Sequence, residues 1–438
     1  MQIKAIAVAL AITQAATFTN AAASTVADTY WKSFKSPVDP NNVVLPSIPQ
    51  TTLHDAVKEC TYYETPASFN FDPAEWPTTW ETATSNGMSK SKEFLDLYNS
   101  LDWKSMPDIP VRKLGSNGAP DMSSYDSAND PDCWWSATTC TKPKHENINA
   151  DIYNCPEPQT WGLTYDDGPN CSHNAFYDFL QEKKLKASMF YSGSNVLNWP
   201  LGALRGIKDG HHIADHTWSH QLMTTLTNEE VLAELYFTQK AIKLTTGVTP
   251  RIWRPAFGDV DDRVRWIATQ LGLTTALWDL DTDDWTADSP ETQAVVEATY
   301  DKYIKMGTDG TYAKSGNIVL THEIDGKTME LAMKYLPKIQ TAYKHVVDIA
   351  TCASITNPYF EDTVVFPTFA SYVSAAASGT AAAASKAAAS KAVTPAGSVS
   401  SAATVSSAAQ SQSVDSGAFT VGPNVVGIAA LAIFALVF

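Results

Sequence analysis

Between residues 151 and 358, short apolar runs alternate with longer amphipathic stretches. The runs at 160–165, 187–191, 252–254, 275–278 and 317–321 have the length and composition of strands. The stretches at 174–184, 228–246, 261–271 and 290–306 repeat their apolar positions at helical spacing. Strands alternating with helices predict an α/β fold with a parallel sheet or barrel. The pattern weakens on either side. Residues 24–150 are rich in Pro, Ser, Asp and Trp and predict an irregular N-terminal extension with short helices, such as one over 90–101.

The two ends change the picture. Residues 1–23 carry Lys4, an apolar run at 5–12 and the small residues Ala21, Ala22 and Ala23, the three parts of a secretory signal. From about 371 to 416 the chain is mostly Ala, Ser and Thr, too poor in large apolar side chains to offset the entropy of ordering. We therefore expect a disordered, O-glycosylated stalk over 359–416. Residues 425–438 are apolar to the end but fall short of the roughly 20 needed to span a bilayer. With the small residues Ser416, Gly417 and Ala418 before the run, or an attachment site nearer Ser411 or Ser413, residues 417–438 fit the removable signal for a GPI anchor, the alternative being a tail that only associates with membrane. This reading places the protein outside the cell, at the plasma membrane and wall, as a monomer.

Composition narrows the partners. The net charge of −16 argues against a nucleic-acid surface, because a polyphosphate is bound by Lys and Arg that displace its counterions. The six cysteines, an even number behind a secretory signal, imply disulfides. Cys133 can close locally with Cys140, and a Cys155–Cys352 bond would clip the two ends of the middle region together. No CxxC pair is present, so a thiolate zinc site has little support.

Candidate chemistry sits where the strand runs stop. Asp166 and Asp167 follow the first run, at the strand end where parallel sheets build their sites. Two neighbouring carboxylates resist ionising together unless a cation is near. A metal on one of them relieves that conflict and leaves the other free as a base. His216 and His220, in "HTWSH", stand at i and i+4, which on a helix would turn both imidazoles toward one ion. Arg254, in "RIWRPAFG", could hold a catalytic carboxylate ionised and oriented. The acids of "DTDDW", residues 281–285, could raise the pKa of a histidine, with Trp285 as a pocket wall. His322 closes the run "IVLTH". Each piece alone has a bland reading: DDG occurs in many turns, and a His pair is more often structural.

Taken in order, TYDDGP, HTWSH, RPAF, DTDDW and LTH resemble the five motifs of the polysaccharide deacetylases, a carbohydrate esterase family sharing the NodB homology domain. The flanking text is similar to that of the fungal chitin deacetylases, over roughly residues 150–358. The resemblance implies a distorted (β/α) barrel with fewer than eight complete repeats. It implies a metal-dependent hydrolase that removes N-acetyl groups from chitin to give chitosan and acetate. Asp167, His216 and His220 would hold one divalent metal, Zn2+ or Co2+. Asp166 would be the general base, Arg254 its orienting partner and His322 the general acid. One acid of Asp281 and Asp284 would tune His322, with Asp281 preferred. Phe257 would offer its backbone N–H to the oxyanion, and Leu320 and Trp285 would line the acetyl pocket. RPAF departs from the family's usual RPPY at Ala256 and Phe257, but the backbone N–H survives both changes. The alternatives are a deacetylase acting on partly deacetylated chitosan or another acetylated polysaccharide, and a non-catalytic chitin-binding wall mannoprotein. The second would show erosion of the motif set, which is intact.

Overall fold

The computed structural model describes residues 26–378, apart from 27, 46–68 and 70. The expected signal segment, the 417–438 anchor signal and most of the stalk lie outside the described residues. The core is a sheet of eight parallel strands: β1 Thr160–Gly168, β2 Ser188–Tyr191, β3 His212–Asp215, β4 Ile252–Trp253, β5 Thr274–Thr275, β6 Leu280–Asp281, β7 Asn317–Leu320 and β8 His345–Val347. Their order is β5-β4-β3-β2-β1-β7-β6, with β8 also pairing with β1. A strand with three parallel partners curls the sheet toward a barrel, and helices cover it, as the NodB-type (β/α) barrel requires. All carboxyl ends of parallel strands face one way, so β1, β3, β4 and β7 deliver their last residues to one rim.

Helix boundaries follow local chemistry. Asn228–Thr246 begins at Thr227, whose side chain and that of Glu230 form a reciprocal capping box, and ends at Gly247 with φ 80°. Pro290–Met306 starts from Ser289 with Pro at the first turn. Helices Asn174–Glu182 and Asp262–Gln270 fall within the expected stretches. The apolar pattern missed β3, β6 and β8, which are two to four residues long and too short to show a period.

The flanks depart from expectation. Among its described residues the N-terminal extension is irregular apart from helices Lys92–Ser100 and Trp135–Thr138 and short turns, yet Phe34, Phe69, Trp76, Met88, Phe94 and Leu97 are buried in the main hydrophobic core. The boundary expected at 358 is also too early. The Tyr359 hydroxyl accepts from the Ile213 N–H at 2.9 Å, Glu361 pairs with Lys243 at 2.9 Å, and helix Phe369–Ala377 sets Phe369 against His345, with ring centroids 5.0 Å apart. The Ala-rich composition that begins nearby conceals that Tyr359, Phe366 and Phe369 are anchors. Among the described residues the Cys133–Cys140 and Cys155–Cys352 disulfides are formed.

Candidate active site

The paired acids end β1. Neighbouring residues of a regular strand point to opposite faces, so Asp166 and Asp167 could not normally share a site. Here the ladder slips: Asp166 stands opposite Phe190 and Gly168 opposite Tyr191, which leaves Asp167 as a bulge with φ 73°. Both carboxylates thereby reach the same imidazole. His216 Nε2 lies 3.7 Å from Asp166 Oδ2 and 3.3 Å from Asp167 Oδ1. Gly168 is required next, because a Cβ there would fall 1.9 Å from the buried Glu323 carboxylate, itself held by His173 at 2.7 Å.

The histidine motif does not form the helix its spacing allows. Residues 216–220 are a loop after β3, with Thr217 at φ 65° and His220 at φ 55°, values that no α-helix contains. Asp215 Oδ1 accepts from the Thr217 N–H at 2.8 Å. Glu234, fully buried, accepts from the Trp218 and Ser219 N–H groups at 2.8 Å each and from the Ser219 hydroxyl at 2.7 Å. This turn still brings His220 Nε2 to 3.2 Å from Asp167 Oδ1. His216 Nδ1 donates to the Arg254 carbonyl at 2.9 Å, which turns Nε2 toward Asp167.

The three donor atoms suit a cation. Asp167, His216 and His220 each offer one ligand atom, all within 4.8 Å of one another. Ligands about 2.1 Å from a tetrahedral metal stand about 3.4 Å apart, close to the 3.2 and 3.3 Å found here. The electrostatics of the three differ: burial works to lower His216, but Asp166 and Asp167 outweigh it and raise its pKa. Burial works to raise the Asp167 carboxyl, but His220 and His216 overcome it and hold it below the usual carboxylate range. Burial pushes His220 down, favouring the neutral imidazole that binds metals.

Arg254 follows β4 with its guanidinium fully buried. Nη1 donates to Asp166 Oδ1 at 2.7 Å and to the Thr164 hydroxyl at 2.9 Å. The group lies 4.1 Å from the Phe190 ring centroid. At the end of β7, His322 bridges to Asp166 in parallel register. Its partner corrects the sequence reading: Asp284, not Asp281, receives His322 Nδ1 at 2.6 Å and the His322 N–H at 2.9 Å. Asp281 instead accepts from the Asp283 N–H and offers its carbonyl to the Tyr303 hydroxyl. Burial would lower the His322 pKa, but Asp284 outweighs it and raises the value to about 10.

The remaining candidates lie at the rim. Phe257 has φ 57°, is largely exposed and packs its ring 4.5 Å from that of His220. Trp285, directly after Asp284, is half-exposed. Leu320 is buried at the end of β7, and its carbonyl accepts from Thr282. Asp167, Thr217, His220 and Phe257 are thus four non-glycine residues in left-handed backbone at one site, a cost that surrounding contacts sustain. The motifs did not reveal Glu234, Asp215 or Asn195, whose amide donates to the Asp167 carbonyl at 2.7 Å. They lie within helices or strands where nothing marks them as polar anchors.

Residues 153–276 match the polysaccharide deacetylase family. The chain is 63% identical to the chitin deacetylase of Amylomyces rouxii over 83% of this chain and 85% of that one. It is 46% identical to chitin deacetylase 2 of Cryptococcus neoformans var. grubii serotype A, covering 74% of this chain and 71% of that one. The structure of the chitin deacetylase from Colletotrichum lindemuthianum aligns with a TM-score of 0.45 at 23% identity, covering 48% of this chain and 96% of that one.

Proposed function

The chain belongs to the polysaccharide deacetylases, and from that premise we propose that it hydrolyses the N-acetyl groups of chitin, releasing acetate and leaving chitosan. One observation carries this reading: a carboxylate–guanidinium pair, Asp166–Arg254, and an acid–imidazole pair, His322–Asp284, stand at strand ends of one sheet beside a three-donor cluster. A binding protein has no use for such a set.

Asp167, His216 and His220 would hold one divalent cation, Zn2+ or Co2+, which when bound supplies Lewis-acid polarisation of the acetamide carbonyl. Asp166 is the general base. Its Oδ1 is tied to Arg254, so Oδ2 takes the proton from the attacking water. The backbone N–H of Phe257 donates to the oxyanion that develops as water adds. His322 is the general acid: with Nδ1 engaged by Asp284, Nε2 gives its proton to the departing nitrogen as the C–N bond breaks. Water is thereby divided between the products, acetate and a glucosamine unit. Leu320 and Trp285 line the pocket for the acetyl methyl.

The domain limits and location belong to the same reading. The catalytic unit takes in the N-terminal extension and runs to about residue 378, followed by the stalk. Secretion and attachment at the cell surface are supported by the apolar N-terminal run and by disulfides, which persist outside the cytosol. Among the described residues no helix is long and apolar enough to cross a membrane.

Acetate release from a hexamer of N-acetylglucosamine tests the proposal. Release should cease after chelation and return on adding Zn2+ or Co2+. Turnover indifferent to chelators, or none by the metal-loaded enzyme, overturns it.

A further inference from the structure

Three aromatic side chains are exposed among the described residues: Phe257 at 60%, Trp285 at 48% and Trp80 at 47%. Phe257 packs on His220, and Trp285 follows the acid that holds His322. The third comes from the N-terminal extension, far from the motifs in sequence. Its backbone nonetheless lands beside them. The Trp80 N–H donates to the Ser194 hydroxyl at 2.8 Å, and the next residue, Asn195, donates to the Asp167 carbonyl at 2.7 Å.

The segment around Trp80 is fastened at three points. Thr78 accepts from Trp218 Nε1 at 3.1 Å, Trp80 binds Ser194, and the Ala83 N–H donates to Glu234 at 2.9 Å. Trp218 and Glu234 also shape the loop that carries His216 and His220. Trp80 itself has φ 65°, a conformation disfavoured for a bulky residue. Trp80 thus presents a large ring to water from strained backbone held between buried anchors.

We propose that Trp80 is a specificity-determining platform that stacks on a further sugar ring of the same polysaccharide chain. The occupant follows from continuity with the site, since the Trp80 backbone is bound to the same Ser194–Asn195 pair that holds Asp167. The apolar C–H face of an N-acetylglucosamine ring matches an exposed indole. The inference rests on the function proposed above and adds an extended subsite, supplied by a segment outside the matched family region of 153–276. Enzyme so built favours long oligomers over short ones.

The test is the ratio of kcat/KM for the N-acetylglucosamine hexamer to that for the dimer, in wild type, Trp80→Ala and Trp80→Phe. Trp80→Ala should lower the ratio about tenfold, chiefly through the hexamer KM, and Trp80→Phe should restore most of it. An unchanged ratio, including an equal loss on both substrates from a merely structural defect, overturns the inference while leaving the proposed function standing. Wild-type enzyme that turns over neither oligomer overturns both.

Discussion

Asp166 and Asp167 differ in environment although one peptide bond joins them. The bulge gives Asp167 to the two imidazoles, and Arg254 claims Asp166. The same division of labour governs His322, where one acid of a cluster is decisive. Asp284 is the largest influence raising its pKa, opposing burial, and keeps the imidazole protonated up to about pH 10. Removing that charge takes away the largest influence that opposes burial and leaves only Asp167 and Asp166 to raise it, so the pKa falls and the acid form is lost at lower pH. Asp284→Asn should therefore move the alkaline limb of the kcat profile to lower pH and cost about 10²-fold in kcat near pH 8. Asp281→Asn should shift the limb far less; pH–rate profiles of the two variants decide between them. From sequence the choice was open, because "DTDDW" offers several acids within one turn and only backbone geometry selects among them.

A short loop, not a helix, presents the histidines. Spacing of i and i+4 satisfies a helical face, but a turn with left-handed residues at Thr217 and His220 brings the same two rings together. The loop's shape depends on Glu234, seated on helix Asn228–Thr246, which satisfies two backbone N–H groups and a hydroxyl of the turn. Glu234→Ala would leave these donors buried and unpaired, at about 1–3 kcal/mol each. Metal affinity should fall about 10–100-fold, as it does when groups that orient ligands are lost. Competition with a chromophoric chelator measures it; affinity equal to wild type would show that the loop holds its form without Glu234. The helix itself was legible to the residue, 228–246, from the spacing of its apolar positions.

At the scale of the molecule, distant segments close around one core. The N-terminal extension buries Trp76 against Trp218, with ring centroids 6.3 Å apart, and residues 359–377 pack against β3 and β8. The Cys155–Cys352 bond joins positions 197 residues apart, just before β1 and just after β8. Loop-closure entropy in the unfolded chain makes such a long link valuable. Replacing both cysteines by alanine should cost about 2–5 kcal/mol, read as a lower midpoint in denaturant with the site's metal affinity retained. An unchanged midpoint would mean that packing across the sheet already supplies the constraint.

By itself the sequence determined the alternation of strands and helices and the polar residues that close the strands. These are encoded locally, in apolar periods, caps and residue types. The tertiary structure alone decided which acid meets His322, that His216 and His220 lie on a turn, and that Glu234 and Trp80 border the site. Those outcomes depend on backbone register and on contacts between segments more than 100 residues apart, such as Ala83 with Glu234. No local pattern of amino acids carries that information, because the partners acquire their meaning only when the sheet brings them side by side.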